Sequence, residues 1–198
     1  MADANKRGRS GKQAPAGLLL TPGAGSDRNH HTLIAIENAV APLPVERLDF
    51  PYRVEGRKAP DRAPKLIAAV VEAAEQFATK SSLSPEHIVF GGRSMGGRIC
   101  SMAVSEGLVA MGLVLISYPL HPPGKPDRLR VEHFPKLDLP CLFISGTRDP
   151  FGTPDELTDA INQIPGPVDI ELIEGGRHDL ANADGTITKA VMAWLSGL

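Results

Sequence analysis

Cysteine is nearly absent from this 198-residue sequence, and its two copies, Cys100 and Cys141, fall inside a predicted helix and a predicted strand. That placement suits buried, reduced thiols rather than a disulfide framework, and so a cytoplasmic location. There is no H-E-x-x-H, no paired C-x-x-C and no carboxylate cluster, so the sequence forms of a metal site are missing and no metal is expected. An excess of charge is missing as well: 21 Lys and Arg stand against 23 Asp and Glu, for a formal net charge of -2. No global field favours nucleic acid or an anionic membrane. No apolar run approaches membrane-spanning length, and the basic start (Lys6, Arg7, Arg9, Lys12) is not followed by a signal-type apolar region. Residues 1 to about 14 read as a mobile tail. Residues 15–198 read as one domain, since 42% hydrophobic side chains suffice for a single core.

Glycine, by contrast, is plentiful, and its densest use organises the rest of the chain. The stretch His87 to Gly107 reads HIVFGGRSMGGRICSMAVSEG. Ile88, Val89 and Phe90 form the short apolar run of a buried strand, which Gly91 is expected to stop. From Ile99 the residues Ile99, Met102 and Ala103 keep helical spacing as far as Gly107. Between them Gly92-Arg93-Ser94-Met95-Gly96 is a G-x-S-x-G in the strand-turn-helix setting of a nucleophile elbow. A serine hydroxyl reacts only when it stands exposed, near a base and beside donors for the oxyanion formed on attack. A tight turn lifts Ser94 above the sheet edge and aims the N–H of Met95 at the developing charge. It also crowds Gly92 and Gly96 too closely for a Cβ. The plainer reading of the same residues is a glycine-rich helix entry with Ser94 as N-cap.

Elsewhere short apolar runs alternate with helical periods. Strands are predicted over Ala16 to Leu20, Val45 to Phe50, Gly112 to Ile116, Cys141 to Ser145 and Asp169 to Ile173. Helices are predicted over Arg28 to Val40 with Ser26 or Asp27 as cap, from near Pro64 to about Thr79, and from a Thr153/Glu156 capping box. A last helix is predicted over about Asp184 to Ser196. Pro51-Tyr52-Arg53 is expected to break the second strand. Six strands alternating with five helices, the central ones without polar alternation, predict an α/β, doubly wound, mostly parallel six-stranded sheet. In such sheets function collects beyond the C-terminal ends of the strands.

A serine nucleophile needs a base, and the base needs a carboxylate to orient it and stabilise its cation. Asp149 lies in the loop after the fifth strand and His178 in the loop after the sixth. The order Ser, Asp, His is the one expected of an α/β-hydrolase. The plainer readings are a turn-starting Asp149 and a surface His178. Asp155 opens a helix, Asp169 lies in a strand and Asp179 follows the histidine directly, so each is a weaker acid candidate. Among the other histidines only His121, which follows the fourth strand, has a place near the site. A second oxyanion donor is expected from Gly23-Ala24-Gly25 after the first strand, by position the N–H of Ala24. That loop has neither the lysine of a P-loop nor the third glycine of a dinucleotide fingerprint.

Six blocks, P-G-A-G, F-P-Y-R, G-G-R-S-M-G-G-R, S-Y-P-L-H-P-P-G-K-P, G-T-R-D-P-F-G and G-G-R-H-D, stand in this order. Together they resemble the small cap-less α/β-hydrolases of the KANL/Tex-type family, related to the dienelactone hydrolases, over nearly all of Leu18 to Leu198. The resemblance implies a sheet lacking the first two strands of the full fold and a triad carried on Ser94, Asp149 and His178. Pro22 departs from the histidine that many α/β-hydrolases have in this loop, which leaves the backbone donor of Ala24 intact.

Only Ser117 to Leu139 separates the fourth and fifth strands, where larger relatives insert a lid, so an open site is expected. Tyr52, Tyr118, Leu120, His121 and Phe151 follow strand ends and are expected to line it. Arg93 and Arg148 either favour an acidic substrate group or form salt bridges to neighbouring helices. The expected activity is cleavage of carboxylic ester or thioester bonds of a small acyl substrate through an acyl-enzyme, without a cofactor. The same residues would also serve peptide or carbon–carbon bond cleavage. The rival from another class is a non-catalytic interaction module on the same fold.

Overall fold

The computed structural model describes residues 14–198, so apart from Ala14 the expected tail lies outside the described residues. Six strands, β1 (Gly17–Thr21), β2 (Val45–Arg47), β3 (Ile88–Arg93), β4 (Gly112–Ile116), β5 (Cys141–Gly146) and β6 (Val168–Ile173), form one sheet. Its order is β2-β1-β3-β4-β5-β6, and every pair is parallel. Parallel strands need crossovers, and the helices that supply them cover both faces. They are α1 (His31–Val40), α2 (Pro51–Val54), α3 (Ala63–Ser81), α4 (Met95–Ser105), α5 (Pro154–Ile161) and α6 (Asp184–Leu195).

Alternate residues of the strands feed two cores. On one face Leu19, Phe90, Leu113, Leu115 and Phe143 pack with Leu66, Val70 and Phe77 of α3, Ile99 and Ala103 of α4, and Leu157 of α5. On the other, Leu18, Leu20, Val89, Val114, Ile116 and Ile144 pack with Leu33 and Ile36 of α1 and Ile187, Val191 and Trp194 of α6. Asp184 fastens α6 to α1, taking a hydrogen bond from the Thr32 hydroxyl at 2.7 Å and lying 2.6 Å from His31 Nδ1.

Three local expectations are corrected. Gly91 does not stop β3, which continues through Gly92 to Arg93. An added Cβ at Gly91 would sit 2.5 Å from the carbonyl of Val114, so the glycine permits close packing inside the sheet. The break at Pro51 is a four-residue helix, because proline at the first helical position starts one readily. Neither Ser26 nor Asp27 caps α1; the ring of His30 accepts from Thr32 N–H in that role. The Thr153/Glu156 capping box is present as expected.

Between β4 and β5 the chain folds inward. Tyr118 donates its hydroxyl to the carbonyl of Arg130 at 2.7 Å and packs its ring against Phe134 and Phe143. Arg130 N–H returns to the carbonyl of Leu120. Among the described residues no further layer covers the C-terminal rim of the sheet.

Two histidines are pushed down from their usual 6.5 to about 4. Burial is the main cause for each, with the Arg93 charge adding at His30 and the Arg98 charge at His133. The unfolded chain binds these protons below about 6.5 and the folded one only near 4. Their contribution is therefore complete above 6.5 and is lost as pH falls through that window. Urea midpoints should fall between pH 6.5 and 4, with a shallower slope in His133→Gln; a flat profile would contradict this assignment. Gly91→Ala should cost about 1–3 kcal/mol in the same assay, since its neighbour at 2.5 Å is backbone and cannot turn aside.

Candidate active site

Successive crossovers run one way from β1 to β2 and the other way from β3 onward, so the winding of the sheet reverses between the neighbours β1 and β3. The loops leaving these strands diverge there and open a crevice. One loop carries Gly23, Ala24 and Gly25, and the other carries Ser94.

Ser94 has φ 50° and ψ -118°, a left-handed backbone that costs a non-glycine residue of order 1–3 kcal/mol. The surroundings impose it. Its N–H is held by the carbonyl of Ile116 at 2.8 Å, and its own carbonyl accepts from Arg98 N–H at 3.1 Å as α4 begins. A Cβ on Gly96 would meet the carbonyls of Pro22 at 2.5 Å and Thr21 at 2.6 Å, and one on Gly92 would strike Thr21. These contacts give the turn its tightness. The elbow expected from G-x-S-x-G is thus built, with α4 starting at Met95 rather than Ile99.

Ser94 Oγ lies 2.8 Å from His178 Nε2. On the far side of the ring, Nδ1 lies 2.8 and 3.0 Å from the two carboxylate oxygens of Asp149. A carboxylate accepts only, so Nδ1 carries the hydrogen, and in the neutral ring Nε2 accepts from the serine hydroxyl. Asp149 is 4% exposed and also accepts from Phe151 N–H at 2.8 Å, which holds it still. Loops after β3, β5 and β6 thereby join in one chain of hydrogen bonds able to move a proton off the hydroxyl.

A second Ser–His pair exists inside the protein. Ser101 Oγ is 2.8 Å from His133 Nε2, but Ser101 is fully buried and donates its single proton to the carbonyl of Arg98. No carboxylate is hydrogen-bonded to His133 among the described residues, so this pair braces α4 against the segment before β5.

The Ala24 loop lies against Ser94: a Cβ on Gly23 would be 3.6 Å from that of Ser94. Neither Ala24 N–H nor Met95 N–H has an acceptor among the described residues, which leaves both donors open beside the serine. The loop is fastened by a turn from Ser26 N–H to the Gly23 carbonyl and by Tyr52, whose hydroxyl donates to the Ala24 carbonyl at 2.8 Å.

The expected pocket wall is partly corrected. Phe151 is at the site, its ring stacked on that of His178 with centroids 4.0 Å apart. Tyr52 contributes through its hydroxyl bond to the loop while its ring is fully buried. Tyr118 and Leu120 belong to the core, because the segment after β4 turns inward on its bonds to Arg130. His121 is buried too. Its N–H donates to the Phe151 carbonyl, and its ring contacts the Pro122 carbonyl and Glu156. Arg148 is exposed, whereas Arg93 is buried and directed at the His178 carbonyl; neither forms a salt bridge among the described residues. The role of Tyr52 and the direction of Arg93 were not readable from local sequence, since each depends on a partner dozens of positions away. No group of three or more metal-ligating side chains occurs among the described residues.

Comparison with solved structures gives the same architecture at low identity. Est1E from Butyrivibrio proteoclasticus is 13% identical, with a TM-score of 0.74 over 95% of this chain and 90% of that one. A dienelactone hydrolase from Anabaena variabilis is 18% identical, with a TM-score of 0.73 over 92% and 86%. A structure from LipS and LipT, two metagenome-derived lipolytic enzymes, is 16% identical, with a TM-score of 0.73 over 93% and 95%. A family model described as an alpha/beta hydrolase domain matches residues 14–193. The chain therefore belongs to the alpha/beta hydrolase domain family.

Proposed function

We propose that the protein is a serine hydrolase of the KANL/Tex-type branch, cleaving ester or thioester bonds of a small acyl substrate. The observation that carries this reading is the unbroken chain from Ser94 Oγ through His178 to the buried carboxylate of Asp149. Ser94 attacks the carbonyl carbon while His178 Nε2 takes the hydroxyl proton. Asp149 holds the ring in the required tautomer and stabilises the imidazolium. The N–H groups of Ala24 and Met95 receive the oxyanion, whose charge is where preorganised donors act most strongly. His178 then returns the proton to the leaving oxygen or sulfur. Water, deprotonated by the same ring, releases the acid and restores Ser94. No step calls for a cofactor.

The comparisons support an ester rather than a nucleic acid or lipid-embedded role. One structural neighbour is named for a lactone and another as lipolytic. The balanced charge of the chain offers no attraction to polyanions, and among the described residues no helix is long and apolar enough to cross a membrane. The thiols of Cys100 and Cys141 are free and pushed up to about 12 by burial, which suits residence in a reducing cytoplasm.

A fluorophosphonate probe should label the wild type at Ser94 and leave Ser94→Ala unlabelled; equal labelling of both would remove Ser94 as nucleophile. With an activated ester, Asp149→Asn should lower kcat by about 10²- to 10⁴-fold. Tyr52→Phe frees the Ala24 carbonyl and should lower kcat about tenfold with KM little changed, a smaller loss than deleting an oxyanion donor outright.

A further inference from the structure

Arg93, the residue before the serine, takes no part in the reaction just described, yet its position is costly. It is 8% exposed, and its Nε is buried without a hydrogen-bond partner among the described residues. Among the described residues no carboxylate lies within salt-bridge distance of it, and the acidic charges it feels most are those of Asp179, Asp149 and Asp184. An unpaired cation is rarely kept inside a protein without a geometric gain. Here the gain is a junction between two loops. Nη2 donates to the main-chain carbonyl of His178 at 2.7 Å, and Nη1 lies 3.2 Å from Nε2 of His30.

Each end of that junction needs holding. His178 follows Gly175 and Gly176 in a loop with little fixed structure of its own; Gly175 has φ 68°. The loop is tied at Gly176 by Arg148 N–H and at Leu180 by a turn, but the Arg93 fork is the donor on the carbonyl of His178 itself. Fixing that peptide plane fixes the direction in which the imidazole leaves the backbone. His30 caps α1 and closes the loop that carries Ala24. Both of its ring nitrogens face donors, Thr32 N–H at Nδ1 and Arg93 at Nε2; the neutral ring has one acceptor nitrogen, so it takes a hydrogen bond from one of the two at a time, and a doubly protonated ring takes neither.

We infer that Arg93 is a positioning residue: its buried guanidinium bonds the His178 carbonyl and lies against the His30 ring, keeping the base against Ser94 and the Ala24 loop in register with both. The inference rests on the hydrolase reading for its effect on rate, and on geometry alone for its effect on the loop. A lysine would keep the charge but has no planar fork to reach the His178 carbonyl and the His30 ring together. The same fork, turned inward and occupied, is not available to a substrate carboxylate.

The test compares wild type, Arg93→Met and Arg93→Lys by the fluorophosphonate labelling rate at Ser94 and by amide hydrogen exchange. Arg93→Met should label about 10- to 100-fold more slowly, the loss expected of a misplaced base. Exchange at Gly176 and Leu180 should accelerate while the amides of β3 and β4 keep their protection. Millimolar guanidinium should restore much of the rate to Arg93→Met, ammonium should not, and Arg93→Lys should stay slow. If Arg93→Met does not fold, Arg93→Gln, which keeps one amide donor, serves the same comparison. Wild-type rate and wild-type exchange in the Met or Gln variant, or full activity in Arg93→Lys, would overturn the inference. A wild type that takes no label would count against the hydrolase reading instead, and the exchange data would still decide whether Arg93 holds the loop.

Discussion

A left-handed turn at a single serine is the constraint on which this structure depends. Ser94 holds φ 50° because β1, β3 and α4 approach too closely for any other path, and glycines at 92 and 96 are what allow that approach. The strain is supported by the sheet: Ser94 N–H is bonded to β4 and its carbonyl to the first turn of α4. Hydrophobic packing on both faces of an all-parallel sheet thus holds one unfavourable backbone conformation in place. The outcome is a hydroxyl lifted clear of the rim with a free N–H beside it.

Around that point the fold brings together four loops that are distant in sequence. The loop after β1 supplies open N–H groups, that after β3 the hydroxyl, that after β5 the carboxylate and that after β6 the imidazole. Three of these loops are braced by groups outside the Ser94–His178–Asp149 chain. The Tyr52 hydroxyl holds the first, the main-chain N–H groups of His121 and Phe151 hold the third, and the Arg93 guanidinium reaches the fourth. The hydroxyl, imidazole and carboxylate are therefore held in place by packing, which is the condition the proposed reaction needs for fixed dipoles to act strongly on a developing charge.

Much of this was legible from local pattern. Apolar runs without alternation marked the inner strands, and Ser94 and Asp149, which follow two of them, converge with His178, which follows the edge strand β6, because parallel strands all end at one rim. Features decided by distant partners were not legible. Gly91 carries the local mark of a strand end, yet it lies inside β3 because a neighbouring strand backbone needs the space. Tyr118 and Leu120 follow a strand like the site residues do, but a return bond from Arg130 draws them into the core. His30 lacks the usual identity of a helix cap and serves as one. Arg93 looked like either a substrate contact or a salt bridge, and its actual partners are a carbonyl and an imidazole.

Covalent acylation of Ser94 is the step on which the proposed reaction turns. Mixing the protein with an activated ester, quenching in acid within the first turnovers and locating added mass by peptide mass spectrometry tests it most directly. One acyl group is expected on the peptide containing Ser94, absent when His178 is replaced by Ala. Steady hydrolysis with no acyl group on that peptide, or with the group on another residue, would contradict it.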